Sequence, residues 1–261
     1  MRNDTSDYNC RRTQSGKKDW LITRRAFLKS SAASLAVASL SCALRNSSNA
    51  GSRTTRFGIV TDCHYADAEA AGTRFYRRSQ DKLAECVELM NAEKVDFLIE
   101  LGDFKDQDRP PVEQKTLSYL ETIEEGFQKF RGPTYHVLGN HDLDSISKTQ
   151  FLSRVENTNI SARRGYYSFD VNRLHCVVLD ANHRTDGADY DYGNFDWTDA
   201  NVPTAELAWL VQDLAAADSP VIVFTHQLLD GTGSVYVKNA AQVRQILQAS
   251  GKVLAVFQGH H

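Results

Sequence analysis

The sequence predicts an α/β protein. From residue 51 onward, short apolar runs alternate with stretches whose apolar residues recur at helical spacing. Strand after strand also stops on the same kinds of polar residue: Asp62, Asp103, Asn140, His226 and His260. In α/β sheets the carboxyl ends of strands converge on the ligand site. With 261 residues, 41% hydrophobic and 10% aromatic, the chain is long and apolar enough for one domain with its own core.

The elements follow in order. Residues 57–61 form a short strand closed by Asp62. Over 73–94 the residues Tyr76, Leu83, Val87 and Met90 mark a helix face. Residues 95–101 read as a buried strand closed by Gly102-Asp103, and Pro111 suits the start of a helix that turns Leu117, Leu120, Ile123 and Phe127 inward. Residues 134–138 are a strand before Gly139, and 166–171 with 174–179 are a hairpin around Asn172-Arg173. The stretch 181–203, rich in Asp, Gly and aromatics, breaks the rhythm; it reads either as a solvated loop or as a rim or lid over a substrate. Thr204 is placed as the cap of a helix to Ala216 with Leu207, Leu210, Val211 and Leu214 inward. A strand over 221–224 runs into Thr225-His226, a helix covers 237–248, and a last strand covers 253–257.

Charge is unevenly distributed. Residues 1–50 carry nine Lys/Arg and three Asp, which leaves 21 basic and 30 acidic side chains in 51–261, a net of −9. An acidic body argues against stable nucleic-acid binding, which needs a basic face, and suits cations. Cys10, Cys42, Cys63, Cys86 and Cys176 form neither a disulfide framework nor a CxxC zinc site, so packing is their expected role.

Residues 1–50 read as an address and linker, and 51–261 as the folded domain. Thr23-Arg24-Arg25-Ala26-Phe27-Leu28-Lys29 resembles a twin-arginine export signal. The apolar run 31–43 after it is too short to span a bilayer, so no transmembrane span is expected in the mature chain. The expected partner is the twin-arginine export machinery, and the expected location is the periplasm or the extracellular space. Cleavage fits after Ala50; a lipid anchor at Cys42 is disfavoured because Ser39 suits a lipoprotein box poorly.

The chemistry-bearing blocks are Asp62-Cys63-His64, Gly102-Asp103-Phe104-Lys105-Asp106, Gly139-Asn140-His141-Asp142, His226 and Gly259-His260. Any one of them alone is more often a turn, a cap or a structural histidine. As an ordered set they resemble the calcineurin-like metallophosphoesterases, whose pattern is DxH, GDxxD, GNH[D/E], a lone His and GHxH. The resemblance implies a four-layer α-β-β-α sandwich and two divalent metal ions. Asp103 would bridge them, Asp62 and His64 would join it on the first, and Asn140, His226 and His260 on the second. Nitrogen and oxygen ligands without thiolate suit Mn, Fe or Zn. Two ions supply a nucleophile at neutral pH and neutralise charge on phosphate oxygens. By the same resemblance His141 is catalytic, donating a proton to the leaving oxygen or stabilising charge there, and Asp106 orients it and raises its pKa. Glycines 102, 139 and 259 let the backbone turn sharply beside the ions. Cys63 is read as packing, and His136, His175 and His183 as structural or surface residues.

Asp106 is followed by Gln107 rather than Arg, which separates the chain from protein phosphatases with GDxxDRG. The stretches FGIVTDCHYAD, RFYRRSQDKL and YVKNAAQVRQIL resemble the manganese-dependent ADP-ribose/CDP-alcohol diphosphatase branch. The implied activity is hydrolysis of phosphoester or phosphoanhydride bonds in small exported-compartment substrates, nucleotide diphosphates or diesters, by a metal-activated hydroxide. The alternative is a metal-binding fragment or receptor module without turnover, against which the presence of His141 with Asp106 and Asp142 speaks. The GHxH block stops one residue short, at His261. The resemblance therefore leads one to expect a fragment of a longer enzyme, with an incomplete second sheet.

Overall fold

The computed structural model describes residues 54–161 and 164–260. The export signal, Cys42, the proposed cleavage site and His261 lie outside them. Strands β1 (Phe57–Val60), β2 (Phe97–Glu100) and β3 (Thr134–His136) form a parallel three-stranded sheet in the order β1-β2-β3. Strands β4 (Tyr167–Val171), β5 (Leu174–Val178), β6 (Val221–Thr225) and β7 (Val253–Gln258) form the second sheet in chain order. There β4 and β5 are antiparallel and the rest parallel. Helices α1 (Arg78–Glu93) and α2 (Glu113–Phe127) cover the first sheet, and α4 (Thr204–Ala216) and α5 (Ala240–Ser250) the second; a short α3 (Lys148–Leu152) lies between.

The side-chain period of two builds the layers. On β2, Phe97 and Ile99 point to the second sheet, where they meet Phe169, Val178 and Phe224, while Leu98 points to the helices with Leu83 and Leu120. On β6, Ile222 and Phe224 face the first sheet, and Val221 and Val223 face Leu210 and Val243. Helix–sheet–sheet–helix is thus the observed order, as the four-layer sandwich requires.

Local chemistry sets the element ends. The β4–β5 hairpin turns on Asn172 at φ 54°, a left-handed conformation Asn tolerates. Helix α5 stops at Gly251 at φ 65°. Ser147 and Gln150 form a reciprocal capping box on α3.

Several sequence expectations shift. The helix expected from 73 begins at Arg78, and the one expected from 237 begins at Ala240. Thr204 is the first helical residue, not the cap; Pro203 precedes the helix and no side chain caps it. Val211 faces outward and is 51% exposed, because the helix needs only the stripe of Leu207, Leu210 and Leu214 against the sheet. The stretch 181–203 is packed rather than solvated at its root. Ala181 and Asn182 are fully buried, as is Tyr190, whose ring stacks on Phe195 at 3.9 Å. Lys148 ties this stretch to α3 through Asp180 (2.8 Å) and Asp189 (2.6 Å). Among the described residues no helix is long and apolar enough to cross a membrane.

Candidate metal centre

Each sheet delivers ligand-type side chains at its carboxyl edge. Asp62 and His64 follow β1, Asp103 follows β2, Asn140 follows β3, His226 follows β6, and His260 follows β7. Ligand atoms of Asp62, His64 and Asp103 all lie within 4.8 Å of one another, and so do those of Asp103, His226 and His260. Asp103 belongs to both groups. Its Oδ2 lies 3.6 Å from His64 Nε2 and 3.3 Å from His226 Nε2. That is the position of a shared carboxylate between two cations.

The donors are ready for ions in three ways. Asn140 Oδ1 is buried without a hydrogen-bond partner, a cost that a cation would remove. His226 is fully buried, with Nδ1 2.7 Å from the Leu101 carbonyl oxygen. Donation from Nδ1 orients the ring so that Nε2 faces Asp103 Oδ2 at 3.3 Å and His260 Nδ1 at 3.1 Å, where a cation would displace its proton. Finally, Asp62, His64, Asp103 and His260 all have positive φ, at 54°, 46°, 57° and 42°. Backbone strain of this kind persists where surrounding structure over-determines it, commonly at ligand sites. The residues present therefore fit two divalent cations.

Electrostatics agree with the crowding of charge. Burial alone would raise the Asp103 carboxyl, but the charges of His226, His141 and His64 hold it well below the usual range. For His226, burial would lower the pKa, yet the Asp103 carboxylate pushes it up to about 10. His260 goes the other way, down to about 4, through burial and the neighbouring His226.

Glycines at the centre act by close approach more than by sharp turning. Only Gly102 is left-handed, at φ 95°. A Cβ on Gly139, at φ −102°, would overlap the Asp103 backbone nitrogen, and one on Gly259 would meet Thr61 Oγ1 at 2.7 Å. Asp142 holds this junction, accepting backbone N–H bonds from Asp103 (3.0 Å), Phe104 (2.9 Å), Lys105 (3.3 Å) and Gly139 (2.8 Å). Burial and the nearby Asp103 lift its pKa to about 6.

The expected pairing of His141 with Asp106 is not what the structure shows. Asp106 Oδ2 stands 4.0 Å from His141 Nδ1, too far for a hydrogen bond. It lies instead 3.3 Å from His64 Nδ1 and accepts from Arg74 Nη1 at 3.1 Å. Residues 140–143 form a single 3₁₀ turn, which brings Asp144 Oδ2 to 3.2 Å from His141 Nδ1. The expected direction of the His141 pKa holds. Burial would lower it, but the Asp144 bond and the charges of Asp103 and Asp106 raise it.

Other residues at the centre carried no signal in the sequence blocks. Arg74 reaches in from the segment before α1, its Nη2 3.1 Å from His141 Nε2. Trp197, on the 181–203 stretch and 43% exposed, places its ring 5.7 Å from that of His260. A cleft of about 470 Å³ is lined by Ala71, Tyr76, Gln107 and Arg109 among others, and by none of the ligand-type residues of the two cation groups. Between Asp62 and His64, Cys63 packs against the first core, and burial pushes its thiol well above the usual value. His136, His175 and His183 are buried beside carboxylates: Glu100 and Glu124, Asp170 and Asp213, and Asp189 respectively.

Known proteins resemble this chain. The manganese-dependent ADP-ribose/CDP-alcohol diphosphatase of Oryza sativa subsp. japonica is 32% identical over 157 residues, 58% of this chain and 46% of the rice protein. The protein of that name from Arabidopsis thaliana is 32% identical over 131 residues, 47% of this chain and 40% of its own length. The chain thus spans less than half the length of these curated relatives. Among solved structures, a dimetal phosphatase from Danio rerio has the same fold, with a TM-score of 0.67 at 21% identity over 79% of this chain and 81% of the other. A purple acid phosphatase from Lupinus luteus seeds aligns at a TM-score of 0.54 and 16% identity, over 79% of this chain and 37% of the other. The calcineurin-like phosphoesterase pattern matches residues 55–261, and with Asp103 shared between two ligand groups at its core, the chain belongs to that family.

Proposed function

We propose that this chain hydrolyses phosphoester or phosphoanhydride bonds in small nucleotide diphosphates or diesters, with two divalent cations, manganese being the first choice. One observation carries the reading: Asp103 completes both cation groups while His141 and Arg74 reach the surface beside it, with side chains 25% and 33% exposed. The relatives' names point to manganese and to diphosphate-linked nucleotides. When bound, the cations neutralise phosphate oxygens and lower the pKa of water.

The chain's own groups supply the rest. Arg74 can pair with a phosphoryl oxygen, which draws its guanidinium off His141. The freed Nε2 takes up a proton from solvent, faces the departing oxygen as an imidazolium N–H, and gives that proton up as the P–O bond breaks. Asp144 holds the opposite ring nitrogen.

The test is hydrolysis of a panel of nucleotide diphosphates, diesters and monoesters by the manganese-loaded chain. His141→Ala is expected to keep two ions per chain and lose about 10²–10⁴-fold in turnover. No hydrolysis of any class by the loaded wild type would instead favour a binding module.

Export is part of the proposal and rests on the Arg24-Arg25 signal. Changing both arginines to lysine is expected to leave the precursor in the cytoplasm, as cell fractionation would read. Unchanged export would mean another route.

A further inference from the structure

Lys105 is a lysine with no solvent exposure at all. Lysine is almost never fully buried unless paired, because its ammonium must be compensated. Both partners of its Nζ lie on the 140–144 turn: the His141 carbonyl oxygen at 2.5 Å and Asp144 Oδ1 at 2.7 Å. The other Asp144 oxygen is the one 3.2 Å from His141 Nδ1. One ammonium therefore grips His141 twice, directly through its backbone and indirectly through its ring. With one oxygen on Lys105 and one on the imidazole, the carboxylate cannot rotate without breaking a charge-assisted bond. Asp106, which otherwise could serve the ring, is held by Arg74 and stands beside His64.

We infer that Lys105 is a positioning residue for His141, acting through Asp144, and that this pair governs how well the centre expels poor leaving groups. The inference rests on the proposed role of His141 as proton donor. Proton donation needs Nε2 within hydrogen-bond reach of the departing oxygen, and misplacement by about 1 Å can cost 10²-fold. Without Lys105, Asp144 is free to turn toward solvent, and the imidazole loses its orientation. The loss should appear where a proton must be delivered, as with an alkoxide leaving group. It should be small where none is needed, as with nitrophenolate.

The experiment compares two esters of one nucleotide, 4-nitrophenyl and ethyl, with the manganese-loaded full chain. Lys105→Met and Asp144→Asn are each expected to raise the nitrophenyl-to-ethyl rate ratio about 10–100-fold, the range typical of groups that orient a site residue. In a His141→Ala background neither should cause further loss, because both act through that imidazole. Equal losses on both esters, or further loss in the His141→Ala background, would overturn the inference, since a structural role predicts both. If Lys105→Met sheds its ions or its fold, Asp144→Asn decides, and an unchanged ratio there overturns it. A ratio raised by His141→Ala but by neither of the other variants would sink this inference alone. A wild type inert on both esters, or a His141→Ala ratio that does not move, would overturn the functional reading and this inference with it.

Discussion

Replacing Asp103 is expected to empty both cation positions at once and to reduce hydrolysis to background. Its carboxylate is the single group common to the Asp62–His64 set and the His226–His260 set. It also accepts the His141 backbone N–H at 2.8 Å, so its loss loosens the turn that carries the imidazole. Asp103→Asn is the informative variant, because Asn tolerates the left-handed backbone at φ 57° and any defect then comes from lost charge, not from strain. Metal analysis should fall from two ions per chain to less than one. The drop in turnover should exceed the 10–100-fold typical of outer-shell groups. Asp62→Ala, which belongs to one set only, should spare the second ion. Retention of two ions by Asp103→Asn would show that the carboxylate is not shared.

The second large effect concerns stability. His136→Ala is expected to cost about 3–5 kcal/mol, because it strips the buried Glu124 carboxylate of its charged partner. His136 Nε2 lies 3.1 Å from Glu124 Oε2 on α2, and Nδ1 lies 3.7 Å from Glu100 Oε2 on β2. The Phe104, Phe127 and Phe151 rings pack around the imidazole. For a chain of this size the melting temperature should drop on the order of 10 °C. Burial would lower the His136 pKa, but Glu124 and Glu100 raise it to about 10 from 6.5. The folded state thus keeps a proton that the unfolded state releases. Its stabilisation is fully present below pH 6.5 and is lost as pH rises toward 10. Glu100, lifted by burial to about 8 from 4.5, acts in the same direction. The melting-temperature gap between wild type and His136→Gln should therefore narrow from pH 6.5 to 10. A gap that widens would mean the imidazole is neutral in the folded chain.

How much of this was legible from the residues follows from the range of each interaction. The strand ends could be read because apolar runs stopping on Asp62, Asp103 and His226 are local patterns. So could the sandwich, once the ordered blocks suggested it. Asp144 as partner of His141 was missed because a 3₁₀ turn, not visible in apolar periodicity, sets that i, i+3 contact. Lys105 to Asp144 and Arg74 to Asp106 join positions 39 and 32 residues apart, and neither pairing leaves a spacing to read. Glu100 sits within an apolar run, where a charge looks like an interruption, and Glu124 stands among acidic neighbours on a helix, where it looks solvated, until the fold supplies His136 between them. Val211 was misjudged because a helical pattern shows which residues could face inward, while the sheet beneath decides how wide a stripe it accepts.

The centre draws on both sheets: Asp62, His64, Asp103 and Asn140 from one, His226 and His260 from the other. The two ligand sets are held in register by the seam between the sheets, closed at the centre by the bond from His226 Nδ1 to the Leu101 carbonyl oxygen. That seam is aromatic, from Phe57 and Phe97 at the starts of β1 and β2 to Phe224 and Phe257 near the ends of β6 and β7, at ring separations of 5.0–6.3 Å. These rings act as a spacer between the sheets that carry Asp103 and His226. Substitutions there will be filtered by catalysis well before they are filtered by folding, since a shift too small to unfold the sandwich is large against a coordination bond. What such positions must preserve is a length rather than a residue type, and paired exchanges that keep it are the ones expected to be tolerated.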